Sequence, residues 1–429
     1  MRNDDALPGP VYDDCRRSFD VTELRRYAQR PGRTRAAHRS QGILVFSAAY
    51  PQLRLDVDAV DHNIRVMAAW CRSRDVELAP HVKTTMSAPV IERQVAAGAS
   101  GVTVATVDQA QTVLSWGHGS VLIANQVVDR FGLRRLKSLL EEDPAREIRC
   151  FVDSPEGLIA AEQIFTGHGP ALKVLLDVGT PGGRTGIRNP EEARQLARLV
   201  SQAPGLSLAG VAGYEGVAPD TRSDGTIAAV DEHCRRVRDV YLDVADLFET
   251  DTPVYSMGGS AFPDRVVEFL PTAGDVPGTV RLLRSGCYVT HDHGTYQRVS
   301  PLPQLAPAVS IRAVVLSVPE AGTAVVGAGK RDLPYDADPP VLLGAHSPGG
   351  SPRHDISGHV SRLYDHHAVL TGVAGLEVAD LVDVGISHPC SAFDRWPDYF
   401  VTDKAGEVID VWQTDFRRAS IACTDRSRG

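Results

Sequence analysis

The sequence has no apolar run long enough to cross a bilayer, so it predicts no membrane-spanning helix. It also has no CxxC pair, and its seven cysteines are scattered along the chain, which disfavours a disulfide framework. No apolar segment follows a basic start in MRNDDALPGP, so we expect a cytoplasmic rather than a secreted protein. The formal net charge of −9 argues against nucleic acid or an anionic membrane as the main partner.

With 429 residues the chain is long enough for two domains. Between residues 53 and 298, short apolar runs rich in β-branched residues alternate with longer segments of helical spacing. Continuous apolar strands separated by amphipathic helices predict an α/β fold with a parallel sheet covered on both faces. We count about eight strand candidates, which favours a closed (β/α)₈ barrel over an open doubly wound sheet.

The remaining segments lack the alternation of strands and helices that marks the barrel. Residues 299–429 carry strand-like runs separated by turns, which predict a mainly antiparallel C-terminal β domain. The strand-like segment ILVFSAAY ahead of the barrel is expected to pair into it, so we assign residues 43–52 to the same domain. Residues 1–42 are rich in Arg, Asp and Pro and lack periodicity, which predicts a partly flexible N-terminal arm.

Polar residues and glycines cluster where the predicted barrel strands end, which is the face of a barrel that carries active sites. Lys83, in PHVKTTMSAP, lies between the first strand and a helix, and a lysine placed there can attack a carbonyl group. The alternative is a solvated lysine in a βα loop. Further candidates for cofactor contacts at these strand ends are His81, Gln126, Arg184, Thr185, Tyr214 and Ser285.

Two glycine-rich loops could bind anions. Gly258, Gly259 and Ser260 follow the seventh strand candidate and open a helix, where exposed N–H groups favour a phosphate. Arg184 lies in DVGTPGGRTG, where its guanidinium could hold a carboxylate or a cofactor oxygen. A plain turn in the first case and a flexible loop with a solvated arginine in the second remain alternatives.

The motif SHPC places His388 and Cys390 two positions apart, so on a strand both side chains share one face and could bind one metal ion. This ligand pair suits zinc, although two ligands do not close a site, and a buried cysteine beside a loop histidine is the alternative. Asp365 and His367 in YDHHAVL are possible third ligands. The rival pair, His291 and His293 in THDHGTY, fits hydrogen bonding at a strand exit better.

Taken together, these motifs resemble the bacterial amino-acid deaminase branch of the D-serine dehydratase-like and D-threonine aldolase-like enzymes. The resemblance covers residues 50 to 416, with Val82 and His366 as its two departures from the usual pattern. It is carried, in this order, by LAPHVKTTMSAPVIERQVAAGASGVTVAT, VLIANQVVD, LDVGTPGGRTG, GYEG, MGGS, LRSGCYVTHDHGTY, GAGKRD and GISHPCSAFDRW.

The resemblance implies a fold-type III pyridoxal-phosphate (PLP) enzyme with an alanine racemase-like barrel, a β domain and a homodimeric assembly. It makes Lys83 the Schiff-base lysine and places the cofactor phosphate on Gly258, Gly259 and Ser260, with help from Tyr296. It also makes His388 and Cys390 ligands of a divalent metal, with zinc favoured over manganese, magnesium or cobalt. The aldolase relatives tend to have an aspartate in place of this cysteine, which favours dehydratase chemistry.

The expected activity is therefore the dehydration and deamination of a small D-3-hydroxy amino acid to a 2-keto acid and ammonia. D-Serine, D-threonine and D-3-hydroxyaspartate are the candidate substrates. Retro-aldol cleavage to glycine and an aldehyde is the first alternative, and it needs a base at the β-hydroxyl instead of an acid. A racemase or epimerase is the next alternative, and a PLP-binding protein without turnover is the last.

Overall fold

The computed structural model describes residues 49–167, 169–272 and 274–416. The predicted arm over residues 1–42 and most of the segment 43–50 lie outside the described residues. The described chain contains two β-sheets and nine α-helices. The helices are α1 (Val57–Arg72), α2 (Ala88–Ala96), α3 (Val107–Ser115), α4 (Arg130–Glu142), α5 (Pro155–Phe165), α6 (Pro190–Gln202), α7 (Asp224–Asp243), α8 (Pro263–Glu268) and α9 (Thr295–Val299).

The first sheet has eight parallel strands, and its residues follow the predicted alternation of strand and helix. In space the order runs from β2 through β9, β8, β7, β6, β5 and β4 to β3. Its strands are β2 (Glu77–Leu78), β3 (Val102–Val104), β4 (Ser120–Gln126), β5 (Glu147–Val152), β6 (Leu172–Val178), β7 (Leu206–Gly213), β8 (Val254–Met257) and β9 (Val280–Leu283).

A parallel bridge between His81 and Thr103 joins the two ends of this sheet. The Thr103 N–H donates to the Pro80 carbonyl at 2.9 Å, just beyond the short strand β2. The interior contains a compact apolar cluster in which Phe151 is the only aromatic residue. The sheet is thus a barrel with a filled core, which confirms the predicted (β/α)₈ fold.

Side-chain caps explain where several barrel helices begin. Asp129 accepts the N–H of Gly132 at 2.7 Å ahead of α4, and Ser154 accepts the N–H of Gly157 at 3.2 Å ahead of α5. These caps satisfy N–H groups that have no partner within the helix, so each helix begins directly after its strand. The connections that follow β4 and β5 are therefore short, whereas residues 179–189 form a longer loop between β6 and α6.

The second sheet has ten strands, mainly antiparallel, as the sequence predicts. Strand β1, which precedes the barrel, lies in its middle, antiparallel to β10 and parallel to β17. This strand is Gln52–Asp56 and so begins after the segment 43–50 that the sequence singled out. The other strands are β10 (Val309–Glu320), β11 (Thr323–Val326), β12 (Val341–His346), β13 (Pro352–Arg353), β14 (His359–Leu363), β15 (Ala368–Thr371), β16 (Leu381–Gly385), β17 (Asp398–Thr402) and β18 (Val408–Gln413).

Membrane-spanning helices are absent from the described part of the chain, where no helix has both the length and the apolar character required.

Gly210 gives a test of the barrel geometry. It lies in β7 with φ +147°, beside a register shift against β6, and a Cβ there would clash with the Val254 carbonyl. We expect Gly210→Ala to lower the free energy of unfolding by about 2–4 kcal/mol in urea denaturation. Gly344→Ala is the matched control because a Cβ at Gly344 meets no atom within 4 Å. Equal losses in the two variants would contradict this expectation.

Candidate active site

Lys83 lies in a short 3₁₀ turn, Val82–Thr84, directly after β2 at the C-terminal mouth of the barrel. His81 beside it is half-buried, and desolvation together with the positive charges of Lys83 and Arg284 holds the pKa of His81 well below its usual value. A Cβ at Gly286 would clash with the His81 carbonyl, so glycine is needed where the segment after β9 approaches the lysine turn. Lys83 is therefore held close to an uncharged imidazole at the strand ends.

Gln126, Asp177 and Thr185 form a polar cluster at the ends of β4 and β6. The Asp177 carboxylate accepts hydrogen bonds from Gln126 Nε2 at 2.9 Å and from Thr185 Oγ1 at 2.8 Å. Burial raises the pKa of Asp177 above its usual value. Arg184 stacks on Tyr214, with its guanidinium carbon 4.8 Å from the ring centroid. The structure thus brings Gln126, Thr185, Arg184 and Tyr214 to the barrel mouth, and Asp177 anchors the first two.

The predicted phosphate turn is hydrogen-bonded to Glu215, a residue to which the sequence analysis assigned no role. The buried Glu215 carboxylate accepts the N–H of Gly258 at 3.2 Å and that of Gly259 at 2.5 Å. Burial raises the pKa of Glu215. Ser285 Oγ donates to the Gly259 carbonyl at 2.7 Å, which fixes the turn from its other side. The turn is therefore preorganised, but its two glycine amides are already hydrogen-bonded.

Arg284 is a second buried charge that the sequence analysis missed, although it lies in the LRSGCY motif. Its guanidinium donates to Ser256 Oγ and to the Gly213 carbonyl, both at 2.6 Å, and lies 5.5 Å from the Phe151 ring centroid. Burial lowers the pKa of Arg284. This cation separates the apolar barrel core from the polar mouth, and its charge favours anionic groups nearby.

Three potential metal ligands meet at the same mouth: Cys287, His388 and Cys390. Their ligand atoms all lie within 4.8 Å of one another, and the two sulfur atoms are 3.2 Å apart. Cys287 begins a 3₁₀ turn after β9, and Cys390 lies in another after β16. Thr84 Oγ1 is 3.8 Å from the Cys287 sulfur and 3.7 Å from the Cys390 sulfur. The cluster thus touches the residue next to Lys83.

His388 contacts two acidic groups, the Asp336 carboxyl and the Cys390 thiol. Its Nδ1 lies 2.7 Å from an Asp336 carboxylate oxygen, and Ser391 donates to the same carboxylate. Burial opposes both charges, but this pairing lowers the pKa of Asp336 to about 2 and, with Cys390, raises the pKa of His388 to about 10. Hydrogen bonds from Cys287 and His388 hold the pKa of Cys390 well below its usual value. The arrangement favours a thiolate beside an imidazole that is oriented by a carboxylate.

Several sequence predictions about ligands need correction. His388 has extended backbone but Cys390 lies in a 3₁₀ turn, so the two do not share the face of a strand. Asp365 and His367 do not reach the cluster, because the turn between β14 and β15 exposes them to solvent together with His366. Cys287, which the sequence analysis did not consider as a ligand, occupies the third place.

Three further predicted residues lie on the segment that follows Cys287: Tyr296, His291 and His293. Tyr296 lies beside His388, with the ring centroids 6.2 Å apart, and its hydroxyl contacts Cys287. The help at the cofactor phosphate that the family resemblance assigns to Tyr296 stays a prediction. His291 has its Nδ1 3.0 Å from the Asp292 carbonyl oxygen, and burial lowers the pKa of His293 to about 4. Side-chain hydrogen bonding at the strand exit is thus present for His291, whereas His293 Nδ1 is buried without a partner among the described residues, and neither histidine is part of the metal cluster.

Unpartnered polar atoms test whether a cofactor of the implied kind suits this mouth. His81 Nδ1, Gln126 Oε1 and Ser260 Oγ are buried without a hydrogen-bond partner among the described residues. They follow or end β2, β4 and β8, whose C-terminal ends converge at the barrel mouth. Buried polar atoms are normally hydrogen-bonded, so these three are suited to a polar ligand beside Lys83. The cluster of two sulfurs and an imidazole likewise suits zinc.

Comparison with known proteins agrees with this architecture. The family "Alanine racemase, N-terminal domain" matches residues 55–262, and the family "Putative serine dehydratase domain" matches residues 308–402. The first match spans the barrel from its first helix to the glycine turn. The second spans most of the antiparallel sheet together with the turn that carries His388 and Cys390.

Individual relatives carry two different activities in their names. The chain is 26% identical to a D-threonine aldolase from Arthrobacter sp over 377 residues, which cover 86% of this chain and 92% of the relative. It is 25% identical to a D-threo-3-hydroxyaspartate dehydratase from Delftia sp. (strain HT23) over 395 residues, which cover 85% and 96%.

A solved structure extends the comparison to the fold. It is a D-threo-3-hydroxyaspartate dehydratase with one cysteine replaced by alanine, in the metal-free form. It superposes with a TM-score of 0.69 at 22% identity and covers 86% of this chain and 98% of its own. These findings show a chain that joins an alanine racemase-type domain to a serine dehydratase-type domain, with a fold that matches the fold-type III PLP enzymes and with lyases as its named relatives.

Proposed function

We propose that this lyase is a PLP- and metal-dependent dehydratase that converts a D-3-hydroxy amino acid to a 2-keto acid and ammonia. The observation that carries the proposal is the cluster of Cys287, His388 and Cys390 in contact with Thr84, the neighbour of Lys83. When bound, the cofactor supplies an electron sink for the charge left at Cα, and the metal supplies a Lewis acid for the departing hydroxyl.

Lys83 would hold the cofactor through Nζ and then remove the substrate Cα proton with the same atom. Because burial lowers the pKa of His81 well below its usual value, the ring beside Lys83 is uncharged at neutral pH and adds no positive charge next to the amine. Gln126, fixed by Asp177, and the stacked Arg184 would orient the cofactor and the substrate at the strand ends. Gln126 ends a strand and Lys83 lies in a 3₁₀ turn, which favours a defined direction for proton removal, whereas Arg184 lies on the exposed loop between β6 and α6.

Ser260 Oγ is the unpartnered donor available to the cofactor phosphate. The N–H groups of Gly258 and Gly259 donate to Glu215 in this structure, so their use by a phosphate requires that this carboxylate move or take up a proton. Because burial raises its pKa, Glu215 takes up a proton more readily than an exposed glutamate does. We therefore assign the phosphate first to Ser260 and, after a change at Glu215, to the two glycines.

His388 and Cys390 would bind the metal. Because Nδ1 of His388 is held by Asp336, only Nε2 remains for the metal, and a carboxylate behind the ring is the usual support of a histidine ligand. The ligands would place the Lewis acid beside the lysine turn, where the β-hydroxyl of a substrate would lie. Cysteine and histidine together favour zinc over magnesium or manganese.

Dehydration is favoured over retro-aldol cleavage because the two reactions need different catalysts at the β-oxygen. Dehydration needs an acid or a Lewis acid there. Retro-aldol cleavage needs a base for the hydroxyl proton, and His388 does not serve as one while it binds a metal. Aldolase activity remains the second candidate because an aldolase relative is as similar in sequence as the dehydratase.

Product analysis with D-threonine, D-serine and D-3-hydroxyaspartate separates these activities. With D-threonine we expect ammonia and 2-oxobutanoate in equal amounts, and no glycine. Glycine with acetaldehyde would establish the aldolase instead, and formation of L-allo-threonine from D-threonine, or of L-serine from D-serine, would establish an epimerase or racemase. A yellow protein that releases no product from any of the three substrates would contradict catalysis of this kind.

The proposal includes a homodimer, which the family resemblance supports, and sedimentation of the purified protein tests it. The cytoplasmic location stays a prediction from the sequence.

A further inference from the structure

We propose that Cys287 is a third protein ligand of the metal, so that two cysteines and one histidine hold it and one position stays open for the substrate. The inference rests on the metal site of the proposed function and adds a ligand that lies outside the SHPC motif. Three protein ligands with one open position is the usual composition of a catalytic zinc site, whereas His388 and Cys390 alone would leave two positions open.

The distances fit a single ion. Two sulfurs bound to one tetrahedral zinc at bonds of about 2.3 Å lie about 3.8 Å apart. The sulfurs of Cys287 and Cys390 are 3.2 Å apart, and the histidine nitrogen lies within 4.8 Å of both. A shift of a few tenths of an ångström in each cysteine therefore gives the two sulfurs the spacing of one ion, and the histidine nitrogen lies near enough to complete the set.

Charge supports the same conclusion. Cys287 is 6% exposed, and its sulfur faces that of the half-buried Cys390. Two thiolates and a neutral imidazole balance the charge of one divalent cation, which gives a neutral unit that can be buried without an unpaired charge. With only one thiolate the same ion would keep a net positive charge beside Lys83.

The backbone holds Cys287 in place before any metal binds. The N–H of His291 donates to the Cys287 carbonyl at 2.7 Å, and the N–H of Val289 donates to the Gly286 carbonyl at 3.3 Å. These bonds fix the 3₁₀ turn that follows β9. Cys287 thus belongs to the barrel, while His388 and Cys390 follow β16 of the second sheet, so the metal would join the two parts of the molecule.

Cobalt substitution in the PLP-loaded enzyme counts the sulfur ligands without relying on activity. We expect the thiolate-to-cobalt charge-transfer absorbance, taken as the difference between cobalt-loaded and metal-free protein, to fall to about half in Cys287→Ala. Zinc affinity, measured by competition with a chelator, should weaken by at least about 10²-fold. Cys71→Ala is the matched control because Cys71 is also buried and unpaired but lies on α1, and it should change neither quantity.

A Cys287→Ala variant with the full charge-transfer intensity and wild-type zinc affinity would overturn the inference. If the intensity is unchanged in Cys287→Ala but lost in Cys390→Ala, only the third ligand is wrong and the proposed metal site stands. If wild-type protein shows no thiolate-to-cobalt band, the metal site itself is wrong. X-ray absorption of the wild-type zinc protein, which must show two sulfurs per zinc, decides the matter should the variant fail to fold.

Discussion

Replacing Lys83 by alanine will remove the visible absorbance that the cofactor acquires on binding to the lysine, and it will lower turnover by at least about 10³-fold. Both effects follow from the loss of one amine at the barrel mouth. Without Nζ the cofactor has no covalent attachment, and the substrate Cα proton has no base. An absorbance titration with PLP and a coupled assay for ammonia measure the two effects on the same sample.

Lys404→Ala is the control for this substitution, because Lys404 is exposed on the loop between β17 and β18. It should keep the wild-type absorbance and rate. Added methylamine should restore part of the turnover of Lys83→Ala if the missing function is that of an amine base. A Lys83→Ala protein that stays yellow and active would refute the assignment of this residue.

Loss of the metal should lower kcat by about 10²–10³-fold while the cofactor stays bound. The reason is that the leaving hydroxyl would no longer be polarised, whereas Lys83 and the polar cluster at β4 and β6 would be intact. We expect this result both for Cys390→Ala and for wild-type protein after treatment with a chelator. Zinc content by atomic emission, the cofactor absorbance and the rate of ammonia release together distinguish it from unfolding.

Reversibility separates the two treatments. Zinc added back should restore the chelated wild-type enzyme and should not restore Cys390→Ala, while Cys71→Ala should behave as wild type throughout. If the chelated enzyme keeps its full rate with no bound metal, the dehydration does not use a Lewis acid. If chelation also removes the cofactor absorbance, the cluster has a structural role instead.

The barrel was predictable because its strands are continuous apolar runs and its helices have clear amphipathic spacing. The polar residues at the strand ends were predictable for the same reason, since a parallel barrel brings all of those ends to one face. Gln126 and Thr185 therefore lie together, as the sequence implied, on the shared anchor Asp177.

Contacts between distant segments were not predictable. Cys287 and Cys390 are separated by 103 residues and no local pattern connects them. Asp365 and His367 were chosen because they lie near SHPC in sequence, but a two-strand hairpin turns them towards solvent. Glu215 lies two residues after β7, yet only the fold shows that it reaches the amides of the turn after β8.

Strand β1 has a consequence for engineering this molecule. Because it lies between β10 and β17, the barrel is an insertion within the second sheet, and the two ends of the insertion leave from neighbouring strands. A fragment that starts at residue 299 would lack a central strand and would expose two unpaired edges, which invites aggregation. Chimeras with related enzymes should therefore exchange residues 52–56 together with residues 309–413, or exchange the barrel alone between those two segments.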